Sequence, residues 1–158
     1  MGDILQDIPD EDVPLLRNLY KDHQNEAPYV YSLLNTYMVW KNKKPNLNCI
    51  SLFGVNDDWL KTGTFILLFE YACNNSLVIY TLEDDCQTLI KSLTQTTRID
   101  WEKRTIWSPV MAIHIPVVYN ILRELDKWPR KITTDKMWML DREKALQLEI
   151  QYSKFNAW

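Results

Sequence analysis

Glycine is scarce. Only three occur in 158 residues, at positions 2, 54 and 63. No Gly-rich turn is available to cradle a phosphate, and no P-loop, dinucleotide fingerprint or nucleophile elbow can be traced. Cysteine is equally sparse. Cys49, Cys73 and Cys86 are odd in number, form no C-x-x-C pair and lie far in sequence from either histidine. That excludes a disulfide framework, gives no zinc spacing, and points to three reduced thiols in a cytoplasmic protein. Positive charge is not in excess: 18 Lys and Arg stand against 21 Asp and Glu, a net charge of −3. The one dense basic cluster, Lys41, Lys43 and Lys44, falls at an expected helix end, where cations suit the dipole. Nucleic acid is therefore not expected as a partner. No apolar run is long enough to span a bilayer, so no membrane partner is expected either. The opening "MGDILQDIPDEDVP" is acidic, without the cationic and apolar regions of a signal peptide, and Gln6 stands where N-myristoylation needs Ser or Thr.

What is present is ordinary globular material. Apolar residues make up 46% and charged residues 25% of the chain, enough for one domain with a proper core. Seven Trp and eight Tyr read as large core and groove-lining side chains. "IPDEDVPLLRNLYKDHQ" opens a helix, with Asp10 as its expected cap, Glu11 and Asp12 at the positive end of the dipole, and Leu15, Leu16, Leu19 and Tyr20 as its apolar stripe. "NEAPYVYSLLNTYMVWKNKK" is a second helix, with Val30, Leu33, Leu34, Tyr37 and Trp40 at helical spacing and Pro45 beyond its end.

The period then changes. "LNCISLFGV", "GTFILLFEY" and "SLVIYTLE" read as three strands, with "ACNNS" as the hairpin turn between the last two. The run Phe65 to Phe69 predicts a strand buried on both faces. "DDCQTLIKSLTQT" predicts a third helix with Leu89, Ile90 and Leu93 inward. "RTIWSPV" is a strand. "HIPVVYNILREL" is a fourth helix with Val117, Val118, Ile121, Leu122 and Leu125 inward. "KITTDKMWML" is a further strand, and Asp141 caps a last helix. The order is α-α-β-β-β-α-β-α-β-α, an α/β (α+β) class with a mixed, mostly antiparallel central sheet flanked by helices.

That order resembles the GNAT superfamily of acyltransferases, which use acyl-coenzyme A. The segments "LLRNLYKDHQNEAPYVYSLLNTYMVWKNK", "DDWLKTGTFILLFE", "IDWEKRTIWSPV" and "MLDREKALQLEI" are similar to the N-terminal domain of glycine N-acyltransferase-like proteins, in particular insect members, over about residues 4–150. The marks are scattered aromatics, Tyr20, Tyr31, Trp40, Trp59 and Trp101, together with the segment from Asp141, not a compact catalytic motif. The resemblance implies two GNAT-like halves, a degenerate N-terminal one and a C-terminal one that binds acyl-CoA and does the chemistry. Residues 1–150 are expected to form the first half. Residues 151–158, "QYSKFNAW", are expected to be a tail where the catalytic half would otherwise begin.

The residues qualify that implication. A working GNAT domain holds the CoA pyrophosphate in a Gly-rich turn between its fourth strand and the next helix. Here the turn is "YTLEDDCQTL", with Glu83, Asp84 and Asp85 and no Gly. Those carboxylates suit the helix as caps and dipole partners and repel a pyrophosphate from the same place. No catalytic, cofactor-binding or metal residue is assigned, and acyl-CoA enters only as the family's co-substrate. Glu70 or Glu83 would serve as a general base only if buried in a cleft. His23 lies in a polar loop, and His114 at a helix start where it caps, packs or acts. Cys49 and Cys73, in or beside apolar strands, are expected to be buried and inert. Cys86 feels carboxylates that raise its pKa and a helix end that lowers it. Trp59, Trp101 and Trp107 either pack or line a groove toward an acceptor or a docked domain. Two functions result. One is the non-catalytic half of a protein that transfers an acyl group to an amine such as glycine, docked on a second GNAT-like domain. The other is a stand-alone interaction module that self-associates or takes a partner.

Overall fold

In the computed structural model, which describes residues 2–108 and 115–124, the run Phe65–Glu70 forms the central strand of a five-stranded sheet. The sheet consists of β1 (Leu5–Asp7), β2 (Ile50–Val55), β3 (Phe65–Glu70), β4 (Asn74–Tyr80) and β5 (Arg104–Ser108), in that spatial order. The first three pairings are antiparallel and β4 pairs with β5 in parallel. Helices α1 (Val13–Lys21) and α2 (Pro28–Lys43) precede β2. A 3-10 turn (Asn56–Asp58) and the short α3 (Trp59–Thr62) link β2 to β3. Helix α4 (Gln87–Gln95) supplies the crossover that parallel strands require, and α5 (Ile115–Glu124) follows β5. The class is mixed α+β.

The strand period of two sorts the core into two layers. Phe65, Leu67, Val78 and Tyr80 face α1 and α2, against Leu16, Tyr20, Val30, Leu34 and Tyr37. Ile66, Leu68, Leu77 and Ile79 face α4 and α5, against Leu89, Leu93, Val118 and Ile121. Phe65 through Leu68 are all 1% exposed or less, as the unbroken apolar run predicts for a strand covered on both faces.

Several local expectations change. Strand β1 has no counterpart in the sequence reading, because three residues with two polar ones carry no periodic signal. Nor has α3. Asp10 does not cap α1. Asp12 is the N-cap residue, without a side-chain bond, and Asp10 accepts a hydrogen bond from the Tyr37 hydroxyl at 3.2 Å. Leu15 points outward at 50% exposure, while Val13 takes the inward place beside Leu16 and Tyr20. Trp40 is 39% exposed. The hairpin turn is Tyr71–Cys73, closed by the Tyr71 N–H donating to the Asn74 carbonyl at 2.9 Å, whereas Asn74 and Asn75 belong to β4. The strand expected at "KITTDKMWML", the helix from Asp141 and the 151–158 tail lie outside the described residues.

The edge strand β1 is held by side chains from far along the chain. The Leu5 N–H donates to Asp3 Oδ1 at 2.8 Å, and the Leu5 carbonyl accepts from Arg98 Nη1 at 3.3 Å. Arg98 also pairs with Asp7 at 2.7 Å and lies over the Phe53 ring at 4.6 Å. Both main-chain groups of Leu5 are thus occupied, which blunts this edge against pairing with another strand.

Asp3 receives three more bonds, from the Thr96 hydroxyl at 2.9 Å and from the Thr97 N–H and hydroxyl at 2.7 and 2.8 Å. Desolvation pushes its carboxyl up, but the bonds from Thr97, Leu5 and Thr96 outweigh it and hold the pKa at about 2, against 3.8 ordinarily. A carboxyl depressed in the fold stabilises above its unfolded pKa and loses that contribution as pH falls through the folded value. Asp3 is expected to add roughly 1–2 kcal/mol above pH 4, vanishing toward pH 2. Urea unfolding of the parent chain and Asp3→Asn checks this. Their stability gap should be widest near neutral pH, narrow below about pH 4 and close only as the pH falls below about 2.

Candidate functional site

The segment leaving β4 builds the site. Thr81 is fully buried, and its hydroxyl shares a 2.7 Å hydrogen bond with that of Thr64 and accepts the Glu83 N–H at 3.2 Å. The chain thereby turns at Leu82 and Glu83 instead of continuing as a strand. Cys86 then adopts a left-handed φ of 54° as the N-cap residue of α4. That conformation folds the preceding residues back across the start of the helix.

Glu83, three residues before the N-cap, closes the helix end. Its Oε2 accepts the Thr88 N–H at 2.8 Å and its Oε1 accepts the Thr88 hydroxyl at 2.6 Å. Asp85 Oδ1 accepts the Gln87 N–H at 3.2 Å. The first two N–H groups of α4, which a helix leaves without intrahelical partners, are therefore taken by the protein's own carboxylates. A negative ligand would have to displace Glu83 and approach Asp84 and Asp85, both exposed. Glu83→Ala is expected to cost about 1–2 kcal/mol of stability, as loss of a helix cap does, and to fray the first turn of α4. Chemical denaturation gives the first, and amide exchange at Gln87 and Thr88 gives the second.

Behind this turn the end of the sheet is filled. Tyr20, wholly buried, donates to the Gly63 carbonyl at 2.6 Å. Its ring meets Phe65 edge-on at 5.7 Å and Tyr80 at 6.5 Å, while Phe65 and Tyr80 stack at 5.7 Å. Burial pushes both phenols up, Tyr80 to about 12, so they stay neutral. Gly63 has φ +64°, and a Cβ there would lie 2.7 Å from Leu82. The lip of the turn is packed directly onto the glycine.

The other singled-out residues scatter. Glu70 ends β3, half-buried, with Lys103 at 3.9 Å. His23 pairs with Glu26 at 2.7 Å, its side chain 37% exposed. His114 lies outside the described residues. Trp59 packs its ring on the Gly54 backbone, and Trp101 packs half-buried on the α4–α5 side of the core. Trp107 sits in β5 opposite Leu77.

The cysteines reverse expectation. Cys49 and Cys73 are exposed, because β2 and β4 begin one residue after each of them, and Cys86 is the buried one. Burial first, then Glu83, Asp85 and Asp84, raises the Cys86 thiol, so it is no thiolate nucleophile at neutral pH. Among the described residues no group of three or more His, Cys, Asp or Glu could hold a metal ion. No helix among them is long and apolar enough to cross a membrane.

A hollow of about 440 Å³ lies between Gly2–Ile4, Asn56, Thr97 and the Lys91 and Gln95 face of α4. It opens on the flank of α4, away from the acidic turn, and Asp3 within it is already fully hydrogen-bonded. The feature that sequence reasoning missed is the aromatic trio with Gly63, which joins residues 43 apart and carries no local signal.

An X-ray structure of a Drosophila protein is similar in fold, with a TM-score of 0.67 at 21% identity over 78% of this chain. The match covers 46% of that protein, so this chain corresponds to less than half of its length. No curated protein matches the chain. The sequence profile described as "Domain of unknown function (DUF5645)" matches residues 4–121, and the chain belongs to that family.

Proposed function

We propose that this domain is the non-catalytic half of an N-acyltransferase-type protein, in which a second GNAT-like half binds acyl-CoA and transfers its acyl group to an amine such as an amino acid. The observation that carries the non-catalytic part is the capped α4 N-terminus, with Glu83 on both the N–H and hydroxyl of Thr88. The acyltransferase part is supported by the sequence resemblance and by the order of two helices, three antiparallel strands, a crossover helix and a parallel strand. A role beside another domain is in keeping with a structural relative more than twice as long as the matched region. The three free thiols support a cytoplasmic setting. Such a half holds no cofactor of its own; it shapes the acceptor side of a cleft and docks the half that works.

Calorimetric titration of the chain with acetyl-CoA and a long-chain acyl-CoA tests this. No heat is expected at millimolar ligand. Micromolar binding would overturn the reading of the acidic turn and give this half its own cofactor site. In a full-length relative, unchanged acyl transfer after deletion of this half would overturn the supporting role.

A further inference from the structure

Two surfaces at opposite ends of the sheet complement each other. Trp40 packs edge-on against Phe69 at 6.3 Å, near the C-terminal end of β3. Tyr71, two residues on, is 54% exposed, and Trp40 itself 39%. Lys43 and Lys44 lie one turn beyond Trp40, exposed, and no ion pair involves them among the described residues. Lys41 is drawn away, over the Tyr37 ring at 5.8 Å. Glu70, between Phe69 and Tyr71, is turned to Lys103. This end therefore presents exposed aromatics flanked by two unpaired cations.

The other end lies past Tyr80. Since Glu70 pairs with Asn75 and Phe65 with Tyr80, the acidic turn is separated from Trp40 by the full length of β4, roughly 20 Å. Asp84 and Asp85 are exposed there, with half-buried Leu82 and with Leu60 at 38% exposure on the neighbouring α3. It presents aliphatic surface flanked by anions.

We propose that the chain self-associates head to tail, the Trp40–Tyr71–Lys43–Lys44 end of one copy seating the Leu60–Leu82–Asp84–Asp85 end of the next. Apolar contact supplies the attraction, and the opposite charges set which ends meet. The two surfaces are unlike and sit at opposite poles, so the contact is heterologous and leaves a free end on each copy. The edge of β1 takes no part, its Leu5 groups being occupied by Asp3 and Arg98.

Sedimentation equilibrium of the chain tests this, at about 0.5 mM protein and low salt, where a contact with a Kd of roughly 0.1 mM is largely formed. The average mass should rise with concentration, and the association should weaken about ten-fold when salt is raised from roughly 0.02 to 0.3 M. Lys43→Glu with Lys44→Glu, and separately Asp84→Lys with Asp85→Lys, should each give monomers. An equal mixture of the two variants should associate again, because each charge-reversed end then meets a complementary one. A monomeric parent chain at that concentration, association indifferent to both reversals, or a mixture that stays monomeric would each overturn the proposal. Circular dichroism confirms folding of the variants. If the Asp84/Asp85 variant loses α4, the lysine variant and the salt series decide alone.

Discussion

Tyr20→Ala is expected to destabilise the domain by about 4–5 kcal/mol, a large share of the stability of a chain this size. Three losses add. A fully buried ring is deleted and a cavity remains beside Phe65 and Tyr80. Two edge-on ring contacts disappear. The Gly63 carbonyl, bonded at 2.6 Å to the phenol, is left with no side-chain donor in its buried setting. Tyr20→Phe separates these effects: it keeps the ring and removes only the hydroxyl, and should cost about 1–2 kcal/mol. Urea titration of the three chains measures both. A Tyr20→Ala cost under about 2 kcal/mol would mean that α1 can close over the gap.

Gly54→Ala should be the other severe change, about 3 kcal/mol for the addition of one methyl group. Gly54 lies in β2 between two paired strands, where its backbone is held on both sides. A Cβ at this position would meet the Trp59 ring at 2.6 Å and the Trp59 Cβ at 2.8 Å. Moving the ring alone does not relieve the second contact, so α3 has to shift. The φ of Gly54 is unexceptional, which leaves crowding as the whole cause. Trp59→Ala removes the ring contacts and leaves only the Cβ one, so combining it with Gly54→Ala should cost less than the two singly, a coupling of about 1 kcal/mol. Thermal unfolding of the four chains gives the cycle, and strict additivity would show that the two residues do not compete for space.

Much of the architecture could be read from periodicity, and the reasons for the misses are local. Strand β3 announced itself because Phe65–Leu68 has no polar interruption. Helices α1, α2 and α4 announced themselves by spacing and by what ends them. Strand β1 did not, since its stability resides in Thr96, Thr97 and Arg98, over ninety residues away. Cys49 and Cys73 were misjudged because apolar neighbours in sequence do not reveal where a strand stops. At the site, the acidic composition of "LEDDC" was legible, and so was its conflict with an anionic ligand. The identity of the capping residue was not. Glu83 reaches Thr88 only because Cys86 takes a left-handed turn, which an L-residue with a Cβ adopts uncommonly and no local pattern foretells. The Tyr20–Gly63 bond was likewise out of reach, being a matter of which distant backbone approaches.

The latch on β1 also fixes an order of events during synthesis. The carboxylate of Asp3 finds Thr97, and Leu5 finds Arg98, across sequence separations of 94 and 93 residues. At about 5–20 residues per second, a ribosome needs roughly 5–20 s to deliver those partners after Asp3 has emerged. Helices α1 and α2 and the β2–β3–β4 meander can assemble in that interval, because their contacts are nearer in sequence. The earliest-made strand of this sheet is thus expected to be the last of the antiparallel set to be secured, since until Thr96 to Arg98 arrive only its pairing with β2 holds it.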